Sequence, residues 1–550
     1  MNISNPLHLL LIIVAALLLV ALLICLLVFL VKPSKRRDIF RMAVPFKILG
    51  GKKRKNHVFL GVSPNAQSMA RCILGEWEKD KKKKDHGLIL FVDMADRFSK
   101  TAESELQKEL DTSRVKLLGG TRALSHERSL SKAIGLEGLQ YWLQAKRTNL
   151  YLFSGNSKEN ARLLSLVSGD SSIRAKVFYY SEEPSGYDDL VASTGSRIRN
   201  INPHQMAFMQ LKLDRPELMP VNYVKKAISG DGEPLGYVEE GLRALVLGFG
   251  TCGQEAVRFL YEYGSFVGKD FLRAPMTIRV MDPAMERHLG AFFQSAPALK
   301  EDPAIEWRSE MAGSAKFWEE FEKPENAFQY IVVAVDEGPR NIQLAVSLLK
   351  AAARSGRELD RMAILLRNGR QNRKIEEIID TYNSAFCPEN SKVLHSFGNV
   401  EELWTQDVIS GRRLKKMAIR FNENHKVLGD KESWEERKER LSKADGSPLR
   451  NQQELRRLQA MDISRALYMP TLLAFAPKEH PDSRQMQYLS AQEHLHWMNA
   501  LFVTGYTDGP LDDLLQQHPN LVPYPEIKND KSRAMGLLAV KSMLEMRDKK

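Results

Sequence analysis

The run Gly248-Phe249-Gly250-Thr251-Cys252-Gly253 follows the apolar stretch Ala244-Leu245-Val246-Leu247 and opens a segment with helical periodicity. Glycines suit this place because the turn is tight and a side chain would keep a pyrophosphate away from the backbone amides. The helix N-terminus then offers unpaired N–H groups and a positive dipole end to the phosphate. An acid closing the next strand accepts hydrogen bonds from ribose hydroxyls, and Asp282, in Ile278-Arg279-Val280-Met281-Asp282, takes that place. The interval from Gly248 to Asp282 is 34 residues, longer than the usual spacing of about 20, and Tyr261–Pro275 reads as an insertion. Two readings fit the turn. Either Gly248, Gly250, Thr251 and Gly253 cradle a nucleotide, or a degenerate unit keeps its glycines for packing. No nucleophile accompanied by a base is identifiable, so acid–base catalysis is not expected.

The elements that would position these residues belong to an α/β chain with doubly wound parallel sheets, in which short β-rich runs alternate with helical stretches. In the first half, strands are expected at 57–62, 88–94, 115–118, 149–153 and 175–181, with helices at 66–79 and 158–167. Its first turn, Gly61-Val62-Ser63-Pro64-Asn65-Ala66, lacks the glycine triad, so a structural or dimerising role is favoured over ligand binding there. Asp93 and Ser154-Gly155-Asn156-Ser157 stand where strand ends line a crevice. A connector rich in Gly and Pro, 216–236, leads to a second set of expected strands at 243–248, 276–282, 330–336, 362–367 and 393–397. Helices at 252–263 and 341–354 fit between them. Two tandem Rossmann-like units are therefore expected at 56–225 and 236–405, followed by a charged helical region at 410–550.

Tyr330-Ile331-Val332-Val333-Ala334-Val335-Asp336-Glu337-Gly338-Pro339-Arg340-Asn341, a helix, and then Ala363-Ile364-Leu365-Leu366-Arg367 carry a likeness to a known family. The stretch resembles the later half of a regulator-of-potassium-conductance domain, the Rossmann unit of Trk-type potassium-uptake regulators. In that family an acidic pair follows the fourth strand, an Asn starts the next helix and an Arg ends the fifth strand. Asp336, Glu337, Asn341 and Arg367 stand at those places. The resemblance implies a domain that binds NAD or another adenine nucleotide and senses it without turning it over.

A second likeness lies near the C-terminal end. Leu489-Ser490-Ala491-Gln492-Glu493-His494-Leu495-His496-Trp497, Gly505-Tyr506-Thr507-Asp508-Gly509-Pro510 and His518-Pro519-Asn520-Leu521-Val522-Pro523-Tyr524 are similar to the ryanodine-receptor repeat (RyR) domain. That small helical module occurs in bacterial proteins joined to Rossmann units, and here it would cover about 485–550. Family members often carry Arg where His496 stands and Trp where Tyr506 stands. Glu493 and Trp497, four residues apart, share one helix face. One reading makes Trp497 core, with Glu493 and His494 tying down the following loop. The other gathers Glu493, His494, Trp497 and Tyr506 around a small planar or cationic ligand.

Charge places the chain rather than naming a partner. The 80 Lys and Arg exceed the 68 Asp and Glu by twelve, and nine of that excess fall in residues 32–55. Nucleic-acid binding therefore loses its main support. Those basic residues follow an apolar run, Leu9 to Val31, of 23 residues. As a helix it would span roughly 34 Å, enough for a hydrocarbon core of about 30 Å. A cleaved leader is disfavoured, because residues 1–8 hold no Lys or Arg and the run is long. The expected topology is a single-pass anchor in the inner or cell membrane, with the N-terminus outside and the bulk cytoplasmic. Lipid contact is expected through 9–55. Four cysteines without CxxC spacing agree with a reducing compartment and give no metal site.

The expected function is that of a membrane-tethered ligand sensor. It would act as a homo-oligomer, or with a channel or transporter subunit, to control ion flux or to serve as a stress or antiphage effector. An NAD(P)-dependent oxidoreductase tethered to the membrane is the alternative.

Overall fold

The computed structural model describes residues 17, 19, 20, 55–79, 86–93, 100–110, 115–119, 143, 146–168, 170, 172–181 and 198–548, apart from 336, 337, 370–372, 389, 390, 429–431, 445 and 446. The apolar run 9–31 lies outside them except for Leu17, Leu19 and Val20, which are helical and exposed. Among the described residues no helix is long and apolar enough to cross a membrane. The chain forms two compact units, Met1–Ser181 with Ser185–Ile201, and Asn202–Lys550 with Glu182–Pro184.

The first unit runs β1 (Lys55–Leu60), α1 (Pro64–Lys79), β2 (His86–Asp93), α2 (Lys100–Glu109), β3 (Val115–Gly119), β4 (Thr148–Leu152), α3 (Ser157–Ser168), β5 (Lys176–Tyr180) and β6 (Ile198–Ile201). All six strands are parallel in the order β3-β2-β1-β4-β5-β6, a doubly wound sheet. Strand periodicity sorts its side chains onto two faces. Val58, Leu60, Leu90, Leu150, Leu152 and Val177 form one face and pack with Leu163, Leu164 and Val167 of α3. The other face carries Phe91, Phe59, Tyr151 and Phe178 in register across four strands, with ring centroids 5.0, 4.4 and 5.2 Å apart. Such cross-strand aromatic pairs fix the register, because a one-residue slip would carry every ring to the opposite face.

The second unit opens with α4 (Pro203–Asp214) and a short hairpin, β7 (Lys226–Ile228) and β8 (Pro234–Val238). Next come β9 (Arg243–Leu247), α5 (Thr251–Tyr263), β10 (Thr277–Met281), α6 (Glu286–Ser295), β11 (Ile305–Arg308) and α7 (Ala315–Phe321). The sheet is completed by β12 (Tyr330–Val333), α8 (Pro339–Arg354), β13 (Ala363–Arg367), α9 (Arg373–Phe386) and β14 (Leu394–Phe397). Its order, β11-β10-β9-β12-β13-β14, repeats that of the first sheet, and every pair is parallel. The expected α/β class with doubly wound parallel sheets is thus observed. Within the two large sheets, two strands lie outside the expected set, β6 (IRNI) and β11 (IEWR); the β7–β8 hairpin, in and beside the expected connector, is a further addition. β6 and β11 are four-residue edge strands with charged positions, which carry little hydrophobic signal.

Helices follow: α10 (Val400–Leu403), α11 (Gln406–Ser410), α12 (Arg412–Leu428), α13 (Trp434–Lys443), α14 (Pro448–Leu473), α15 (Ser483–Phe502) and α16 (Asp530–Asp548). A two-residue parallel ladder, β15 (Thr507–Asp508) with β16 (Gln517–His518), interrupts them. Composition separates this region from the second sheet, but in three dimensions the two pack as one body. The insertion between α5 and β10 is the reason. Val267 of that insertion packs with Tyr488, Ala491 and Leu495 of α15, and Phe271 stacks on Tyr488 at 4.2 Å. Gln492 accepts from the Val267 N–H and donates to the Gly236 carbonyl, while the Tyr488 hydroxyl donates to the Lys269 carbonyl. The long interval between Gly248 and Asp282 therefore houses the seat of α15.

Candidate functional site

The glycine turn joins β9 to α5 at the carboxyl edge of the second sheet, where β9 and β12 diverge to opposite sides. This is the switch point at which doubly wound sheets leave a crevice. Its three glycines differ in what requires them. Gly248 has φ +92°, and a Cβ there would lie 2.5 Å from the Ala334 carbonyl oxygen. A Cβ at Gly253 would overlap the Gly248 carbonyl oxygen. Both positions need glycine for folding alone. At Gly250 a Cβ would meet no atom within 4 Å, and the backbone is extended with φ −64°. Packing gives no reason for that glycine.

Gly250 is the N-cap of α5, and no side chain caps the helix. Gly338, the N-cap of α8, likewise has no side-chain cap and nothing within 4 Å of a Cβ among the described residues. Among the described residues, the two helices that start at the switch point therefore present uncapped first turns over open space. The equivalent helices of the first sheet are closed by their own side chains. Ser63 Oγ accepts from the Ala66 N–H at the start of α1. Asn156 Oδ1 accepts from the Lys158 and Glu159 N–H groups at the start of α3.

Asp282 follows β10 and is half-buried. Its Oδ2 accepts from the Phe249 N–H at 2.7 Å and its Oδ1 from the Ala284 N–H at 2.6 Å. The carboxylate thus braces the turn, and each oxygen keeps a further lone pair for a ribose hydroxyl. Phe249, unremarked in the sequence, anchors the turn from below: it is fully buried, with Phe292 and Trp307 each at 5.2 Å. Thr251 is half-buried at the first position of α5.

Asn341 and Arg367 face inward. Asn341 is fully buried, accepting from the Val335 N–H and donating to the Arg367 carbonyl, so it pins the crossover loop to the end of β13. The Arg367 guanidinium reaches the Gly398 and Phe397 carbonyls. Asp336 and Glu337 lie outside the described residues.

The four residues expected around the C-terminal pocket divide into two groups. Glu493 is 1% exposed, and its carboxylate accepts from Arg465 Nε at 2.6 Å. His494 binds the Val522 carbonyl through Nε2 and stacks on Trp497 with centroids 5.5 Å apart. Burial lowers its pKa, keeping the ring neutral. Trp497 packs in one apolar cluster with Tyr506, Leu501 and Leu521. The Tyr506 hydroxyl donates to Asp513, which also pairs with Arg457. Hydrogen bonds and core packing thus account for all four side chains, and Glu493 is tied to Arg465 instead of joining the aromatic rings.

One buried cluster was not foreseen. Glu262, in the last turn of α5, pairs with Lys212 of α4 at 3.0 Å and accepts from Ser464 of α14 at 2.8 Å. His496 of α15 lies 3.3 Å from it and stacks on Tyr468 at 3.7 Å. Burial alone would raise the Glu262 pKa, but the Lys212 charge and the His496 contact outweigh it and hold the carboxyl at about 2. The helix that begins at the glycine turn therefore ends in a polar knot shared with α4, α14 and α15.

No family model matches the chain, and no curated protein matches it in sequence.

Proposed function

We propose that this chain is a membrane-anchored, cytoplasm-facing sensor whose second sheet binds NAD or another adenine nucleotide. The observation that carries the reading is the contrast at the two switch points. Among the described residues, Gly250 and Gly338 leave open space before uncapped helices, whereas Ser63 and Asn156 fill the same places in the first sheet. Bare N–H groups at a helix start favour an anion, and open space above them admits a pyrophosphate. Asp282, beside the turn, suits a ribose.

The 23-residue apolar run and its basic flank support a single-pass anchor at 9–31 with the N-terminus outside. One helix encloses no pore, so control of ion flux requires a homo-oligomer or a separate channel or transporter subunit. Clustering of anchors as a stress or antiphage response is the form this takes if no such subunit exists. Coupling requires that the nucleotide bind one assembly state better than another. The likeness to the Trk-type regulators and to the RyR module supports sensing over turnover.

The test is a thermal-shift panel on the full-length chain in detergent, with NAD, NADH, ATP, ADP and cyclic nucleotides. A saturable shift that Gly250→Trp abolishes is the expected result. No response to any member would sink the proposal, and steady hydride transfer to a carbonyl substrate would replace it with the oxidoreductase reading.

A further inference from the structure

A buried cation ends β13 with two carbonyls as its partners. Arg367 is 3% exposed, and its Nη1 donates to the Gly398 and Phe397 carbonyls. Among the described residues no carboxylate pairs with it, and its Nε meets no acceptor. A guanidinium withdrawn from water without a counterion is costly, so such sites are paired or filled.

The second turn of α4 packs on the neighbouring end of β14, where the Arg367 guanidinium also lies. A Cβ at Gly398 would lie 2.5 Å from Arg367 Nη1 and 2.8 Å from Ala207 Cβ, and Phe208 packs on Phe397 at 5.0 Å. One turn earlier, the start of the same helix carries two more polar atoms without partners, Asn202 Nδ2 and His204 Nδ1, on residues 2% and 7% exposed. Asn202 Oδ1 is committed to capping α4 through the His204 and Gln205 N–H groups, which leaves its amide donors unspent. Burial first, and the Arg367 charge second, hold the His204 pKa at about 3. The ring is therefore neutral at pH 7, and Nδ1 is available as a donor in one tautomer.

We propose that Arg367, Asn202 and His204 form a binding site for a small oxyanion of the phosphate class. A guanidinium, an amide NH2 and an imidazole N–H are the donor set that such an anion takes, and it supplies the missing negative charge. None of the three needs a ligand at the glycine turn, so the inference goes beyond the nucleotide reading. The anion has two sources, free phosphate or a phosphate of the bound nucleotide. β13 lies two strands from β9, roughly 10 Å at about 4.8 Å per strand, which a nucleotide can bridge.

The experiment is thermal unfolding of the full-length chain, titrated with sodium phosphate or sodium chloride at constant ionic strength, and separately with NAD and ADP. Wild type should show a saturable rise with phosphate, about 5 °C at a hundredfold excess over Kd. Asn202→Asp keeps the helix cap, since Asp caps as well as Asn, and on this proposal supplies the site with a carboxylate of its own. This variant should unfold at a higher temperature without phosphate and lose the response. Arg367→Met should also lose the response, while Arg308→Met, at an exposed site, should keep it.

If wild type shows no saturable rise with any probe, or if Asn202→Asp and Arg367→Met respond as wild type does, the proposal fails and water alone occupies the site. A phosphate response that survives Gly250→Trp identifies free anion as the occupant. A response to nucleotide alone that Arg367→Met removes identifies the nucleotide's own phosphate. A phosphate response with none to any nucleotide would leave this site standing and sink the nucleotide reading.

Discussion

Asn160 and Asn341 hold the same position in the two sheets and make the same pair of bonds. Asn160 accepts from the Ser154 N–H and donates to the Tyr180 carbonyl; Asn341 accepts from the Val335 N–H and donates to the Arg367 carbonyl. Each joins the loop after the fourth strand to the end of the fifth. Neighbouring bonds match as well. Gly61 and Gly248 both donate to the end of the second strand, and Phe153 and Ala334 both donate to the end of the first. The two units are built to one plan.

Both asparagines are fully buried, so truncation strands a donor and an acceptor in each case. Asn341→Ala should cost about 2–3 kcal/mol in urea unfolding, and Asn160→Ala a similar amount in its own unit. Ser347→Ala, at an exposed site on α8, should change stability by less than about 0.5 kcal/mol. Equal small effects at all three positions would show that the bracing is dispensable.

The glycines of the turn should separate folding from binding. Gly248→Ala forces a Cβ onto the Ala334 carbonyl at a φ of +92°, and should cost about 3 kcal/mol. Gly250→Ser adds a capping hydroxyl in open space and should hold stability or raise it by about 0.3 kcal/mol. The same change should weaken nucleotide binding about tenfold or more by calorimetry. Unchanged affinity would move the site away from this turn.

Acid should release the polar knot at the end of α5. The Glu262 carboxyl sits at about 2 in the folded chain, below its ordinary 4.5. Its contribution is complete above pH 4.5 and is lost as pH falls toward 2, about 3 kcal/mol in all. His204 works in a different window. Its folded pKa of about 3 lies below the unfolded 6.5, so stability falls as pH drops below 6.5 and the unfolded chain takes up a proton. Urea titrations from pH 7 to 3 should show Glu262→Gln reducing the slope below pH 4.5, and His204→Gln reducing it between 6.5 and 3, where His395 and His518 also contribute. Parallel curves for wild type and both variants would contradict this assignment.

Removing the ring that seats α15 should loosen the helical region from the second sheet. Tyr488 is 2% exposed, stacks on Phe271 and bonds the Lys269 carbonyl. Tyr488→Ala should cost about 3–5 kcal/mol and speed proteolysis within 264–275. Tyr488→Phe loses only the hydroxyl bond, about 1 kcal/mol. Similar losses for the two variants would mean that the ring stack contributes little.

Much of this arrangement was legible in the chain itself. The apolar runs of ten of the twelve sheet strands and the Gly248 turn announce a doubly wound sheet, because buried parallel strands leave unbroken hydrophobic stretches. The roles of individual polar residues were not legible. Asn341 and Arg367 stand where a ligand would meet them, yet both turn toward backbone carbonyls that sequence spacing does not reveal. Glu493 fits either a loop-tying or a pocket role in the sequence, and its partner Arg465, 28 positions earlier, is not visible there. The insertion at 261–275 looked like a loose departure from the usual interval, since its partner α15 lies more than 200 residues away.

Ser63 and Asn156 act on the first sheet as a permanently resident ligand would, answering the helix N–H groups before any solute arrives. With the second sheet binding a nucleotide as proposed, the chain carries its own reference channel. Hydrogen exchange at the first turns of α1 and α3 should track temperature, pH and denaturant, while the same turns of α5 and α8 track these and occupancy together. Subtracting one from the other isolates the chemical signal, as a blank cuvette does in a double-beam photometer.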